Sequence, residues 1–300
     1  MDVHYTLVRI YLFICRHYQG RLAAIAQRQS NNNDPDFTDK EVLTIYLFGL
    51  FKKRTTVNGI YEYVDDHFSD WFPDLPSYQS YNRRLNRLNR LNAVFPPLVE
   101  RALEHIDSEE TRAIMLRIAD SMPIMMAKGQ RASQATVASE QIADVGYCSS
   151  KDTFYHGVKL HVIAEKRSDT LPLLDRVGLT PGSKNDLQAA RLVLPAIEGG
   201  VLCGDKAYCD GPLKERLAED QNLALLTPIK KEKGQKTLSA ADTLYSEAVS
   251  RLRQPIESLF SWIDEKTEIQ CASKVRSYRG LLVHVFGRLT AAMLILALNP

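Results

Sequence analysis

Cysteine is scarce in this chain: Cys15, Cys148, Cys203, Cys209 and Cys271 are five of 300 residues, and no C-x-x-C pair occurs. An odd, scattered set supports neither a disulfide framework nor a zinc knuckle, and it fits a reducing cytoplasm. Long apolar runs are missing too. The stretch 289–298 is about half of what a bilayer needs, and the apolar start is broken by Arg9 and Arg16, so neither a membrane span nor a signal peptide is expected. With 15 Gly and 13 Pro, collagen-like and low-complexity classes are excluded. Acidic residues are absent from two regions, 78–97 and everything after Glu268.

What is present describes an ordinary globular protein, 45% hydrophobic and 25% charged, with length for two domains of about 150 residues each. The net charge of +2 is unevenly spread. Arg83, Arg84, Arg87 and Arg90 fall in one acid-free region. Lys230, Lys231, Lys233 and Lys236 crowd one loop, and Lys274, Arg276, Arg279 and Arg288 fill the acid-free tail. Each cluster is either a solvated face or part of a nucleic-acid footprint.

Residues 1–108 read as helical. Apolar residues recur at spacings of three and four in Val8, Tyr11, Leu12 and Cys15, and again in Val42, Ile45, Tyr46 and Gly49. Thr38 and Glu41 have capping-box spacing. Further helices are expected over 57–68 and 78–94; the latter sets Leu85, Leu88, Leu91 and Phe95 against Arg83, Arg84, Arg87 and Arg90. That face suits either a recognition helix in a major groove or a solvated amphipathic helix.

From about residue 109 the texture changes to short β-branched runs. Strands are expected at 113–119, 155–164, 171–179, 201–204 and 223–226. Helices follow at 186–197, 211–218, 247–264 (interrupted by Pro255) and 280–298. The resulting order, β-β-β-α-β-α-β-α, is that of a mixed α/β sheet. The division is therefore a helical domain over 1–108 and an α/β domain over 109–300 that includes the C-terminal helix.

Asp120 and Asp205 each end an expected apolar strand, where open sheets put functional groups, although a carboxylate there can equally be a cap or turn residue. Asp205 stands among small residues in Gly204-Asp205-Lys206-Ala207-Tyr208. Glu257 borders the apolar stripe Ile256, Leu259, Phe260 and Ile263 of a helix, which lets it face the sheet. Three converging carboxylates repel unless a cation joins them. Oxygen-only ligands select Mg²⁺ or Mn²⁺, and two such ions about 3.5 to 4 Å apart support phosphoryl transfer. Lys159, His161 and Lys206 are either plain strand and turn positions or phosphate contacts beside the carboxylates, and His161 could be a satisfied sheet histidine. Asp210 reads as a helix N-cap.

The pieces Ala119-Asp120-Ser121-Met122-Pro123-Ile124, Gly146-Tyr147-Cys148, 155–161, 204–208 and Ile256-Glu257-Ser258-Leu259-Phe260 together resemble the catalytic domain of DDE transposases from bacterial insertion sequences, over roughly 110–297. The resemblance implies a ribonuclease-H-like fold, with Asp120, Asp205 and Glu257 as the catalytic, metal-binding triad and Arg253 as the arginine one turn before the glutamate. It implies Mg²⁺ or Mn²⁺ as cofactor, element ends and target as double-stranded DNA partners, a homodimer on synapsis and a nucleoid-associated cytoplasmic location. Where one branch of that family carries a tyrosine and a lysine around this glutamate, the present chain has Ser250 and Asp264. Two rival readings fit the same residues: a catalytically silent DNA-binding regulator derived from such an element, and a structure-selective nuclease.

Overall fold

The computed structural model describes residues 3–18, 22–23, 35–88, 94–106, 115–194 and 197–298. The chain divides into two compact units, Met1–Ser108 together with Ile263–Pro300, and Glu109–Trp262. In chain order the described helices begin with α1 (Val3–His17), α2 (Asp39–Phe51), α3 (Val57–Phe68), α4 (Tyr78–Leu88) and α5 (Phe95–Glu104). Strands β1 (Leu116–Lys128), β2 (Asp144–Cys148), β3 (Thr153–Glu165) and β4 (Leu173–Pro181) follow. Then come α6 (Asp186–Val193), β5 (Gly200–Cys203), α7 (Gly211–Gln221), β6 (Leu223–Leu226), α8 (Ala240–Arg253), α9 (Pro255–Thr267) and α10 (Tyr278–Leu298).

In the helical unit, α2 starts at the expected capping box: the Glu41 N–H donates to Thr38 Oγ1 at 3.3 Å and the Thr38 N–H donates to the Glu41 carboxylate at 2.6 Å. From 42 to 50 every residue of α2 is buried, which makes it a central helix rather than an amphipathic one. Helix α10 is likewise buried from 281 to 294. It is long and apolar enough to cross a membrane, yet it is a core helix of this unit. The Thr290 hydroxyl is 3.3 Å from the Phe95 carbonyl of α5, and Tyr46 of α2 donates to the Val283 carbonyl at 3.3 Å. The C-terminal helix thus clusters with the N-terminal helices, where the sequence placed it at the end of the catalytic domain; its largely apolar surface is buried in the helical core.

Helix α1 buries Leu7, Ile10, Phe13 and Ile14, whereas the expected stripe leaves Tyr11 and Leu12 exposed. Apolar residues line much of this helix, so two registers satisfy the same spacing and packing selects between them. The helix expected over 78–94 ends at Leu88 among the described residues. A separate helix, α5, begins at Phe95 with prolines in its first turn, where a missing N–H costs nothing.

Among the described residues the second unit holds a six-stranded sheet in the order β2-β3-β1-β5-β6, with β4 also paired to β3. Pairing is antiparallel for β1–β3, β2–β3 and β3–β4 and parallel for β1–β5 and β5–β6. With helices between the parallel strands this is the mixed, ribonuclease-H-like α/β fold. The five residues of β2, too few for a clear alternation, add a strand to the expected order. A larger difference concerns β1, which runs on through Asp120 to Lys128 because its pairing with β3 continues to Lys128↔Tyr155. What stops near Asp120 is the parallel pairing with β5, whose last match is Ile118↔Cys203. Ala119, Leu202, Leu213, Leu217 and Ala190 form a core that fixes α6 and α7 on one face of this sheet.

Gly49 of α2 shows how tightly the helical core is set: a Cβ there would meet Cγ1 and Cγ2 of Ile60 at 2.5 Å. Helix propensity alone favours Gly49→Ala by about 1 kcal/mol. Overpacking opposes it by about 1 to 3 kcal/mol. Net destabilisation is expected in urea unfolding, and a more stable variant would show that the α2–α3 contact yields without cost.

Candidate active site

Asp120, within β1, and Asp205, in the turn after β5, each lie two residues past the final parallel pair Ile118↔Cys203. Because successive strand residues point to opposite faces, and Ala119 packs under α6 and α7, Asp120 points to the other face. There it meets the end of α8: Arg253 Nη1 donates to Asp120 Oδ2 at 2.5 Å, and Arg253 Nη2 donates to Glu257 Oε1 at 3.0 Å. One guanidinium therefore joins two of the three expected acids. The Asp120 Oδ1 accepts from the Ser121 N–H at 2.8 Å. Asp205 caps the short turn after β5, with the Ala207 N–H donating to its Oδ1 at 2.8 Å. Gly204 is required here by the protein itself, since a Cβ would meet Cγ of the buried Tyr208 ring at 2.8 Å.

Burial pushes the Asp120 carboxyl up to about 6; Arg253 opposes the shift, and the negative charges of Asp205 and Asp186 add to it. An oxygen-only donor set in which one member is held at such cost fits a divalent cation in its chemistry. Its arrangement differs from the expected convergence on a shared position. Among the described residues no group of three or more His, Cys, Asp or Glu is arranged to hold a metal ion. Glu257 is exposed and reaches Asp120 through Arg253, whose guanidinium supplies the positive charge at that place.

Lys159 and His161 lie on β3 opposite Pro123 and Ser121, so they share the face of Ser121, not that of Asp120. On that face they gather around Asp186, the first residue of α6. Asp186 Oδ1 accepts from Ser121 Oγ at 2.8 Å and lies 3.5 Å from Lys159 Nζ and 3.8 Å from His161 Nδ1. His161 is a buried sheet histidine, hydrogen-bonded to the Thr180 hydroxyl at 2.8 Å, and burial lowers its basicity well below the ordinary range. It is neutral at pH 7 and offers no charge to a phosphate. Asp186 is the acid that the sequence reading passed over; its signal was the Asn185 cap ahead of a helix, which reads equally as local structure.

Of the expected basic contacts, Arg83 and Arg87 are exposed on α4. Arg84 is buried, ion-paired with Asp39 and hydrogen-bonded to the Phe37 carbonyl, so it is a structural residue of the helical unit. Arg90 lies outside the described residues. Lys206 is exposed beside Asp205; Lys230 and Lys231 are exposed and reach the Cys209 and Lys236 carbonyls at 3.5 and 2.8 Å. Asp210 is the N-cap of α7, as expected, accepting from the Leu213 N–H at 3.0 Å.

Residues 110–277 match the family model described as a transposase DDE domain. No curated protein sequence matches the chain.

The Asp120 environment yields a stability test. A carboxyl whose folded-state pKa rises from 3.8 to about 6 makes the folded protein bind a proton more tightly than the unfolded chain, so stability falls as pH rises through that window and stays lower above it. In chelator at pH 7.5, Asp120→Asn is expected to raise stability by up to about 3 kcal/mol, a difference that fades below about pH 4. Urea unfolding across pH measures it. A less stable variant at pH 7.5 would mean that the Arg253 ion pair outweighs burial.

Proposed function

The chain belongs to the transposase DDE domain family, and on that premise we propose that it binds the ends of a mobile DNA element, cleaves DNA strands there and joins them to target DNA. The observation that carries this reading is the placement of Asp120 and Asp205 side by side past the parallel pair, with Arg253 linking Asp120 to Glu257. Asp120 and Asp205 would hold a first Mg²⁺ or Mn²⁺, and Glu257 would complete a two-ion donor set on leaving Arg253. Such ions supply activation of water or a 3′-hydroxyl as nucleophile and charge stabilisation at the leaving oxygen.

The chain's own residues then have defined work. Arg253 holds the Asp120 and Glu257 carboxylates together before DNA arrives, and its planar fork matches a phosphate as well as it matches carboxylates. Exchanging carboxylates for a scissile phosphate would orient the strand and free two ligands in one movement. The sheet holds Asp120 rigidly, because β1 is paired on both edges where Arg117 and Ile118 lie and remains paired to β3 at Asp120. Exposed Arg83, Arg87, Lys206, Lys230 and Lys231 are proposed as sequence-independent phosphate contacts. Two ends must be brought together for joining, so the working form is proposed to be a homodimer.

The experiment compares wild type with Asp205→Asn on labelled element ends, with binding by gel shift and cleavage in Mg²⁺ and in chelator. A carboxamide keeps shape and removes a ligand's charge, so cleavage should fall by at least about a thousandfold while end binding persists. A variant that cuts like wild type would remove Asp205 from the chemistry. Wild type that binds ends and never cuts under any divalent ion would favour the silent regulator.

A further inference from the structure

The carboxylate site leaves a second concavity unused, one lined wholly by residues of the helical unit. A cavity of about 680 Å³ lies where the first turns of α3, α4 and α10 meet, marked by Thr56, Tyr78 and Ser277. Thr56 caps α3, accepting from the Gly59 N–H at 3.1 Å, and Ser277 caps α10, accepting from the Gly280 N–H at 3.1 Å. Helix N-termini present partial positive charge. Lys274, Arg276 and Arg288 also line the cavity, and no Asp or Glu does among the described residues.

Arg288 gives an independent sign that an anion belongs there. Its side chain is 4% exposed. Nη1 donates toward the Tyr46 hydroxyl at 3.4 Å and Nη2 donates to the Thr55 carbonyl. The buried Nε–H has no hydrogen-bond partner, and no carboxylate among the described residues pairs with this guanidinium. A buried full charge with only neutral partners is costly unless an anion lies nearby. His284, also buried on this wall, is held neutral mainly by burial and further by the Arg288 charge, so it adds no compensation. At the mouth, Lys274, Arg276 and Ser277 are exposed, which leaves the cavity open to a polymer as well as to a small ion.

We infer that this cavity is a phosphate site for the backbone of bound double-stranded DNA: Lys274, Arg276 and the helix N-termini hold the phosphodiester, and Arg288 is its buried counter-charge. The inference rests on the DNA-transposase reading and assigns the acid-free tail a role in holding DNA within the helical unit. A phosphodiester contact of this kind carries no sequence information of its own.

The test uses the full chain. Lys274→Ala/Arg276→Ala changes two exposed side chains and should keep the wild-type melting temperature; Arg288→Met is the second variant, used if it folds. Anisotropy with a short labelled duplex of arbitrary sequence, over a salt series, should show weaker binding and a log–log salt slope flattened by about one to two units in the double variant. In parallel, inorganic phosphate should raise the melting temperature of wild type above that in sodium chloride of equal ionic strength, and should not do so for the variant. Unchanged duplex affinity and salt slope in the double variant would overturn the proposal. Wild type that fails to bind any duplex would instead refute the transposase reading. If phosphate still stabilised wild type and not the variant in that case, the occupant would be a free phosphate ligand, and the DNA assignment would fall.

Discussion

Asp120 and Asp205, each two residues past the last parallel pair of β1 and β5, repel each other, and the surroundings of Asp120 are organised around how that repulsion is met. Asp120 is buried enough for its proton affinity to rise although Arg253 touches it. The guanidinium comes from the last turn of α8, and the helix break at Gln254 lets α9 start at Pro255 and bring Glu257 to the same group. The path of the chain from α8 into α9 is thus tied to the strand ends by one cation. Removing that cation from between the acids would leave their negative charge without a counter-charge.

A strand is read from its alternation, and alternation reports faces without reporting partners. The sequence identified the core strands and the two strand acids because apolar runs broken by Asp120 and Asp205 are strong local signals. It misjudged the extent of β1, since antiparallel pairing with β3 carries the strand eight residues past Asp120, and only the parallel partner β5 stops there. The same alternation decides the fate of Lys159 and His161. Their register against Pro123 and Ser121 puts them on the α6 face, away from Asp120, and register between distant strands is not written in either strand alone. Asp186 escaped notice for a related reason: a carboxylate in the first turn of a helix is already explained by the helix.

Helical parts were legible as helices and less so as packing partners. In α1 two apolar registers compete, and the buried one is set by neighbours that spacing does not name. Helix α2 and helix α10 are buried on every side over most of their length, so no stripe points to a partner; their burial follows from packing within one unit, and the C-terminal helix joins the N-terminal ones on that account. The change to β-branched runs near residue 109 falls where the second compact unit begins. It could not reveal that the chain returns to the helical unit at Ile263.

Charge clusters illustrate the remaining gap between a list of residues and a surface. Arg84 sits in the acid-free arginine run, yet it is buried against Asp39, whereas Arg83 and Arg87 stand in solvent. Arg253 is committed to carboxylates, and Arg288 is buried with no carboxylate among the described residues. Arginine is suited to such buried roles because its planar, weakly hydrated fork satisfies several acceptors at once. A basic run near neutrality of the whole chain therefore separates into two populations: those whose loss weakens the fold and those whose loss changes the response to salt. Weakened DNA binding alone cannot distinguish them, because a loosened helical unit also binds less. The salt slope can, since it counts phosphates neutralised, and a structural arginine contributes nothing to that count.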